Sequence, residues 1–337
     1  MNSDPTSSAE ANEHDLSSLQ PYGFTPDAIA LLGFSTLRGI GFQALRSLGG
    51  PPGVVALLSR GEIADVREQM SALGVKASAS IAEFQTRLEL RRRVWNEGRK
   101  IAELLVTKGI EFIPAAAFPP AFFDMPADAR PLWLFARGAK ALLSQRSVAI
   151  VGTRQATPHG EFLTRYAVSV AGLLEAPVIS GLAYGIDTHA HRCCLDAGIP
   201  TISILGSGLL SPYPAKNIDL ADRIVDQGGV LVSEYLPEHE PTAESFVWRN
   251  RLQACLSSAV IAVEWRRASG TAHTVRFARE MGRANISLSI SKIVPASDAG
   301  SADAHFELPQ MHEQFVSAVQ GALRATRAVV RAQAALF

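Results

Sequence analysis

The stretch VAIVGTRQATPHGEFLTRYAVSVAGLLEAPVISGLAYGIDTHAH, residues 148–191, decides how the rest of the chain is read. It opens on an apolar run, Val148 to Val151, that stops at Gly152-Thr153-Arg154. A helical pattern follows, then a second apolar run ending at Ser180-Gly181. Strand, glycine turn, helix and strand in that order make a βαβ unit. In an open parallel sheet the carboxyl ends of the strands form the ligand-binding edge. Arg154 stands at such an end, just ahead of a helix. A phosphate suits that position, because a helix N-terminus presents free N–H groups and positive potential. Glycine lets the backbone approach such a ligand closely.

Downstream the alternation continues. Further strand candidates are Thr201–Leu205, Val230–Ser233, Val260–Glu264 and Ile286–Ile290. The helix candidates between and around them are Gly160–Leu174, Asp187–Ala197, Asn217–Gln227, Val247–Ser257 and Thr271–Met281. The spacing leaves room for a right-handed helical crossover at each step. Runs such as Val260-Ile261-Ala262-Val263 are continuously apolar, as strands buried on both faces are. The pattern predicts an α/β fold, a doubly wound parallel sheet.

Upstream the pattern changes. Residues 1–22 are polar and acidic, with Asp4, Glu10, Glu13 and Asp15 and no Lys or Arg. They read as a disordered leader, not a signal peptide. Residues 23–105 read as a small helical domain of the SAM or helix-hairpin-helix kind. Its Gly39-Ile40-Gly41 turn can offer N–H groups to a phosphate, although a plain tight turn is the commoner use of such glycines. Thr86–Lys100 is a charged helix with a mostly solvated face. Residues 106–145 are a lead-in, in which Leu132–Ala136 is a candidate edge strand, and the α/β domain spans 106–295. Residues 296–337 read as a linker and a C-terminal helix, Phe315–Phe337, carrying Arg324, Arg327 and Arg331. The apolar face of that helix needs a partner, either this chain or a second copy.

The 337 residues are 47% apolar, enough for a large core, and Lys+Arg equals Asp+Glu at 32 each. That balance speaks against a globally basic nucleic-acid binder and leaves room for a local basic groove. No apolar run reaches the length of a membrane helix. Three cysteines, two of them adjacent, make no disulfide framework, and a reducing cytoplasm fits them.

The segments after the strands collect the unusual residues. They are Gly152-Thr153-Arg154; then Ser180, Gly181 and Gly185, with Asp187 as a candidate N-cap; then Gly206-Ser207-Gly208, Lys216 and Asn217. They continue with Phe246, Trp248, Arg249, Asn250 and Arg251, and end at Ser269-Gly270-Thr271. All fall on one side of a parallel sheet. The expectation is a glycine-lined floor with Arg154, Lys216, Arg249 and Arg251 above it and aromatic faces beside them. Cations for phosphates and aromatics for bases suit single-stranded nucleic acid.

Other chemistry finds less support. Gly-x-Gly-x-x-Gly and the P-loop are absent. His189, His191, Cys193 and Cys194 lack the partners of a zinc site and read as an ordinary helix with buried cysteine. Glu234 and Glu264, at strand ends, read as carboxylates that orient arginines or cap loops. No cofactor, metal or catalytic residue is expected.

At these blocks the chain resembles the DNA-processing protein A family, DprA/Smf. The matching blocks are Val148–Arg154, Ser180–His191, Leu205–Asn217, Ser233–Arg251 and Ser269–Thr271, together with the Pro131–Gly138 segment and the Gly39–Gly41 turn. The resemblance implies an extended Rossmann-like domain that binds single-stranded DNA without catalysis. It also implies a homodimer that protects incoming DNA and loads the RecA recombinase onto it during natural transformation. By residue, it implies that Arg154 binds phosphate, that Lys216 contacts DNA, and that Phe246, Arg249, Asn250 and Arg251 hold a base and backbone. Three features depart from the family. Tyr184 stands where the family usually has arginine. Ala284–Ile290 replaces the family's V-P-G turn after Arg283. The usual C-terminal winged helix is not visible. The alternative is a nucleotide-binding or nucleotide-hydrolysing, phosphoribohydrolase-like paralogue with a sensing or defence role. The hydrolytic version needs a glutamate three residues after Thr271, where this chain has Thr274.

Overall fold

The structure, a computed structural model, describes residues 16–59, 62–72, 81–290 and 302–334, with backbone alone over 326–334. The chain divides into two compact units. One runs through Ala117 and takes in Pro131–Phe135; the other comprises Phe118–Arg130 and the chain from Ala136 onward.

The smaller unit is built on two helices, α1 (Pro26–Ser35) and α5 (Arg87–Thr107). Between them lie α2 (Phe42–Ser47), α3 (Pro51–Ser59) and α4 (Ile63–Ala72). Thr86 and Glu89 close a reciprocal capping box at the start of α5. Leu90, Val94, Gly98, Ala102 and Leu105 recur every three or four residues and form its buried stripe, while Leu88 stays exposed. Gly33 and Gly98 let the two helix backbones touch. A Cβ on Gly98 would meet the Ile29 carbonyl, and one on Gly33 the Val94 carbonyl. Alanine at an exposed helical glycine stabilises by roughly 1 kcal/mol. Here the sign reverses: Gly98→Ala is expected to cost about 1–3 kcal/mol through overpacking, read as a lower denaturant midpoint. In the turn ahead of α2, the Ile40 amide donates to the Leu37 carbonyl at 3.0 Å, so it serves the turn itself. The unit also holds β1 (Ile110–Pro114), and β2 (Trp133–Gly138) begins there. Phe112 meets Phe135 edge-on at 5.5 Å.

Part of the span read as a disordered leader, residues 1–22, is folded. Leu16 and Leu19 are buried and Gln20–Tyr22 form a 3-10 helix, because two leucines suffice to anchor the segment. Residues 1–15 lie outside the described residues.

The larger unit carries a parallel sheet in the order β6-β5-β4-β3-β7-β8-β9. Its strands are β3 (Ser147–Gly152), β4 (Val178–Ser180), β5 (Thr201–Ile204), β6 (Val230–Ser233), β7 (Ser257–Val263), β8 (Ala284–Ile290) and β9 (Ala304–Leu308). The crossovers are α6 (Pro158–Leu173), α7 (Ile186–Asp196), α8 (Ile218–Asp226), α9 (Ala243–Leu256) and α10 (Gly270–Glu280). From β3 the chain steps outward to β6, then returns to the other side of β3 with β7. The strand order reverses between β3 and β7, and ligands of open α/β sheets bind at such a point. Every residue of β7 is buried, as a central parallel strand requires.

Three expectations are corrected. First, β9 lies within the span read as linker and helix. It pairs with β8 from Ala304 to Leu308, so the sheet extends past residue 295, while residues 291–301 lie outside the described residues. The strand alternates His305 and Glu307 with buried Phe306 and Leu308, the half-exposed pattern of a sheet edge. Second, α9 starts at Ala243, ahead of the expected Val247, because Thr242 and Ser245 form a capping box. Third, Asp187 is not an N-cap: α7 is capped by Gly185, at φ 74°, and Asp187 sits one residue inside the helix. The last helix, α11 (His312–Ala334), finds its partner within this chain. Phe315, Val319 and Leu323 are buried with Ile261, Leu288 and Phe306.

Candidate nucleic-acid interface

A cleft of about 680 Å³ opens where the strand order reverses. The turn after β3, Gly152-Thr153-Arg154, forms one wall, and Ser269-Gly270-Thr271 at the start of α10 forms another. Phe246, Arg249 and Asn250 reach it from α9. Nine of the expected residues therefore converge here.

Each wall has a physical cause. The Thr271 hydroxyl donates to the Gly152 carbonyl at 3.0 Å, tying α10 to the end of β3. Ser269 makes no side-chain cap on α10; its hydroxyl donates instead to the Arg266 carbonyl at 2.6 Å. The Ala272 amide donates to the Ser269 carbonyl at 3.1 Å, and Gly270 and Thr271, ahead of it, line the cleft with no side-chain cap over them. The start of α6 is closed by contrast. Glu264 accepts from the Thr157 amide at 2.9 Å and from its hydroxyl.

The Phe246 ring is half-buried and faces the cleft. Arg154 lies over it at 5.3 Å, Arg249 approaches at 5.9 Å, and Tyr213 sits at 5.5 Å. Glycine at 206 makes this seat, since a Cβ there would come within 2.8 Å of the ring. Arg154 is exposed and, among the described residues, has no hydrogen-bond or carboxylate partner. Arg249 is the opposite case. It is buried and donates to the carbonyls of Gly181 (2.8 Å) and Ile204. Burial draws its pKa down to about 10, against the support of Asp187. Burial likewise pushes Asp187 up to about 6, opposed by Arg249 and by the Gly181 amide that it accepts at 3.1 Å. The two charges lock the ends of β4 and β5 beneath the cleft.

The other expected site residues lie outside the cleft lining. Ser180 donates to the Ile150 carbonyl at 2.7 Å. Gly181 leaves room for the Arg249 guanidinium, and Gly185 lies against the backbone of Thr153 and Arg154. Ser207 is buried and accepts from Ser233 through its carbonyl. Gly208 lies against the Leu236 and Pro237 carbonyls. Asn217 is buried and donates to the Leu182 carbonyl (2.8 Å) and the Thr188 hydroxyl (2.7 Å). Lys216 is exposed beside it. Arg251, expected above the floor, is fully buried in an ion pair with Glu234 and stacks on Trp248 at 4.0 Å. Glu234 and Glu264 do serve as orienting and capping carboxylates. His191 is enclosed, bonded to Thr201 at 2.8 Å and held neutral by burial, which brings its pKa to about 3. No metal-binding cluster occurs among the described residues.

The sequence reading missed Tyr213, Thr242, Gln253 and Thr274, which also line the cleft. A signal for Gln253 was present: 246, 249, 250 and 253 share one helix face.

The profile of the family described as DNA recombination-mediator protein A matches residues 110–305, more than half of the chain. The chain belongs to that family. A Bacillus subtilis DNA processing protein DprA is 34% identical over 177 residues, 52% of this chain and 59% of the relative. The solved structure of Helicobacter pylori DNA processing protein A, described for its single-stranded DNA binding mode, matches with TM-score 0.54 and 26% identity. It covers 62% of this chain and 97% of that one. The Streptococcus pneumoniae DprA structure matches with TM-score 0.56 and 23% identity, over 89% of this chain and 97% of that one, and shares the fold. The chain spans about half the length of the curated relatives it matches. Within the DNA recombination-mediator protein A family, the Rossmann-like sheet expected from the sequence is thus in place. No helix among the described residues is long and apolar enough to cross a membrane.

Proposed function

We propose that this protein binds single-stranded DNA in the cleft between β3 and β7 and does no chemistry on it. The observation that carries the reading is Arg154 over the half-buried Phe246 ring, beside the open N-terminus of α10. An unpaired arginine and a helix N-terminus suit successive phosphates, and an aromatic face suits a base. Lys216 is exposed three residues after Tyr213 of the cleft lining and is proposed as a further phosphate contact. The Helicobacter pylori relative's described single-stranded DNA binding supports the same reading. As a DprA-type protein, the chain is proposed to work as a cytoplasmic homodimer that protects incoming DNA and hands it to RecA in natural transformation. Hydrolysis of a nucleotide has little to work with: Asp187 is the one carboxylate lining the cleft among the described residues, and it is engaged by Gly181 and neighbours Arg249.

Fluorescence anisotropy with single-stranded, duplex and mononucleotide competitors at two salt concentrations tests the reading. Single strands are expected to bind best, and log affinity to fall linearly with log salt concentration. Equal binding of duplex, or release of free base from a nucleotide, would overturn it.

A further inference from the structure

Among the residues lining the cleft, Gln253 alone holds a buried side-chain nitrogen with no hydrogen-bond partner, within the described residues. Gln253 is 1% exposed. Its neighbours on the same helix face are all engaged. Arg249 donates to strand-end carbonyls, and the Asn250 carboxamide accepts from Arg249 at 3.2 Å and donates to the Gly270 carbonyl at 3.1 Å. A buried amide left unpaired is costly, and native proteins rarely leave one without a use.

From this geometry we infer that Gln253 reads the edge of a nucleobase drawn into the cleft, and so sets base preference. The inference rests on the strand-binding reading and adds a residue that discriminates among strands. Phe246 and Gln253 lie two helical turns apart, about 10 Å along α9. A nucleotide entering past Phe246 spans that distance with its sugar and base. The carboxamide offers one donor and one acceptor side by side. That pair matches the adjacent acceptor and donor on a base edge, as glutamine does with bases elsewhere. The strand-end arginines and the α10 amides carry no such information, because phosphates are alike in every sequence. Base choice therefore falls to the unpartnered carboxamide in the cleft lining.

The test compares wild type with Gln253→Met, which keeps the side chain's length and removes its hydrogen bonding, and with Gln253→Leu as a second variant. Each is titrated with short homopolymers of dT, dC and dA, with a strand carrying abasic sites, and with free mononucleotides. Wild type is expected to favour one homopolymer by roughly tenfold and to bind the abasic strand more weakly. Both variants are expected to level the homopolymers to within about twofold while keeping the wild-type salt slope. Thermal midpoints are expected to hold or rise, since a buried unpaired amide is gone. A preference that survives in both variants, or an abasic strand bound as tightly as a complete one, would overturn the role of Gln253 and leave strand binding intact. Free mononucleotides that compete in a Gln253-dependent way as well as strands do would make the occupant a free nucleotide and overturn the strand as its source. Loss of all strand binding in wild type would count against the proposed function instead.

Discussion

Glu234→Ala will lower folding stability by about 3–5 kcal/mol, the cost of stranding a buried charge. Arg251 is 0% exposed and Glu234 is 1% exposed. Besides Glu234, the Arg251 guanidinium donates to the carbonyls of Ala129 (2.7 Å) and Trp248 (2.8 Å), so it fastens the 118–130 segment to α9. With the carboxylate gone, the arginine has no charge partner and no route to water. A fall in the urea midpoint with m unchanged is the expected signature. Arg251→Met is expected to cost less than Arg251→Ala, because it fills the volume and leaves only the carboxylate to be resolved. A loss under about 1 kcal/mol for Glu234→Ala would show that water reaches the pair and that its burial is not as described.

Arg154→Ala will act on binding and not on folding. Arg154 is exposed and touches its own chain mainly through the Phe246 ring, a contact worth about 0.5–1 kcal/mol at an exposed site. A charge-assisted hydrogen bond to phosphate contributes about 1.5–3 kcal/mol, so affinity for single strands should fall roughly ten- to a hundredfold. The salt slope should flatten by about 0.7, one neutralised phosphate. Phe246→Ala separates the two halves of the site. Stacking on an aromatic contributes about 1–3 kcal/mol and carries no counterion release, so affinity should fall with the slope unchanged. Phe246→Leu keeps much of the packing against Gly206 and controls for loss of shape. Identical salt slopes for wild type and Arg154→Ala would remove Arg154 from the phosphate track.

These two arginines show how far the residue pattern reached. The loops at the strand ends were legible, since each is a glycine-bearing break after an apolar run, and the parallel sheet makes them converge. Nine of the residues picked from those loops do line one cleft. The assignment failed where it counted arginines and left out helix direction. Arg249 and Arg251 are two residues apart, and at about 100° per residue they point to opposite sides of α9. Val247–Ser257 is legible as a helix, but grouping its first residues with the strand-end loops left that angle out; the capping pair Thr242 and Ser245 starts the helix four residues earlier. The edge strand β9 was lost to the Ser- and Ala-rich run before it, and half-exposed edge strands carry a weak hydrophobic signal.

The order of local patterns was enough to mark strands β3 to β8, the helices that cross between them, the parallel sheet they form, and the gathering of the loops at one edge of it. Apolar runs, glycine breaks and helical periodicity are properties of neighbours in the chain. The division of labour among polar residues came only with the tertiary structure. It separates Arg154, open to solvent, from Arg249 beneath the cleft and Arg251 inside the core. It also places Gln253 in the lining of the cleft, buried and with its side-chain nitrogen unpartnered among the described residues. The charge that an arginine offers is the same in all three settings. Its use depends on which carbonyls, carboxylates and rings the distant segments bring to it.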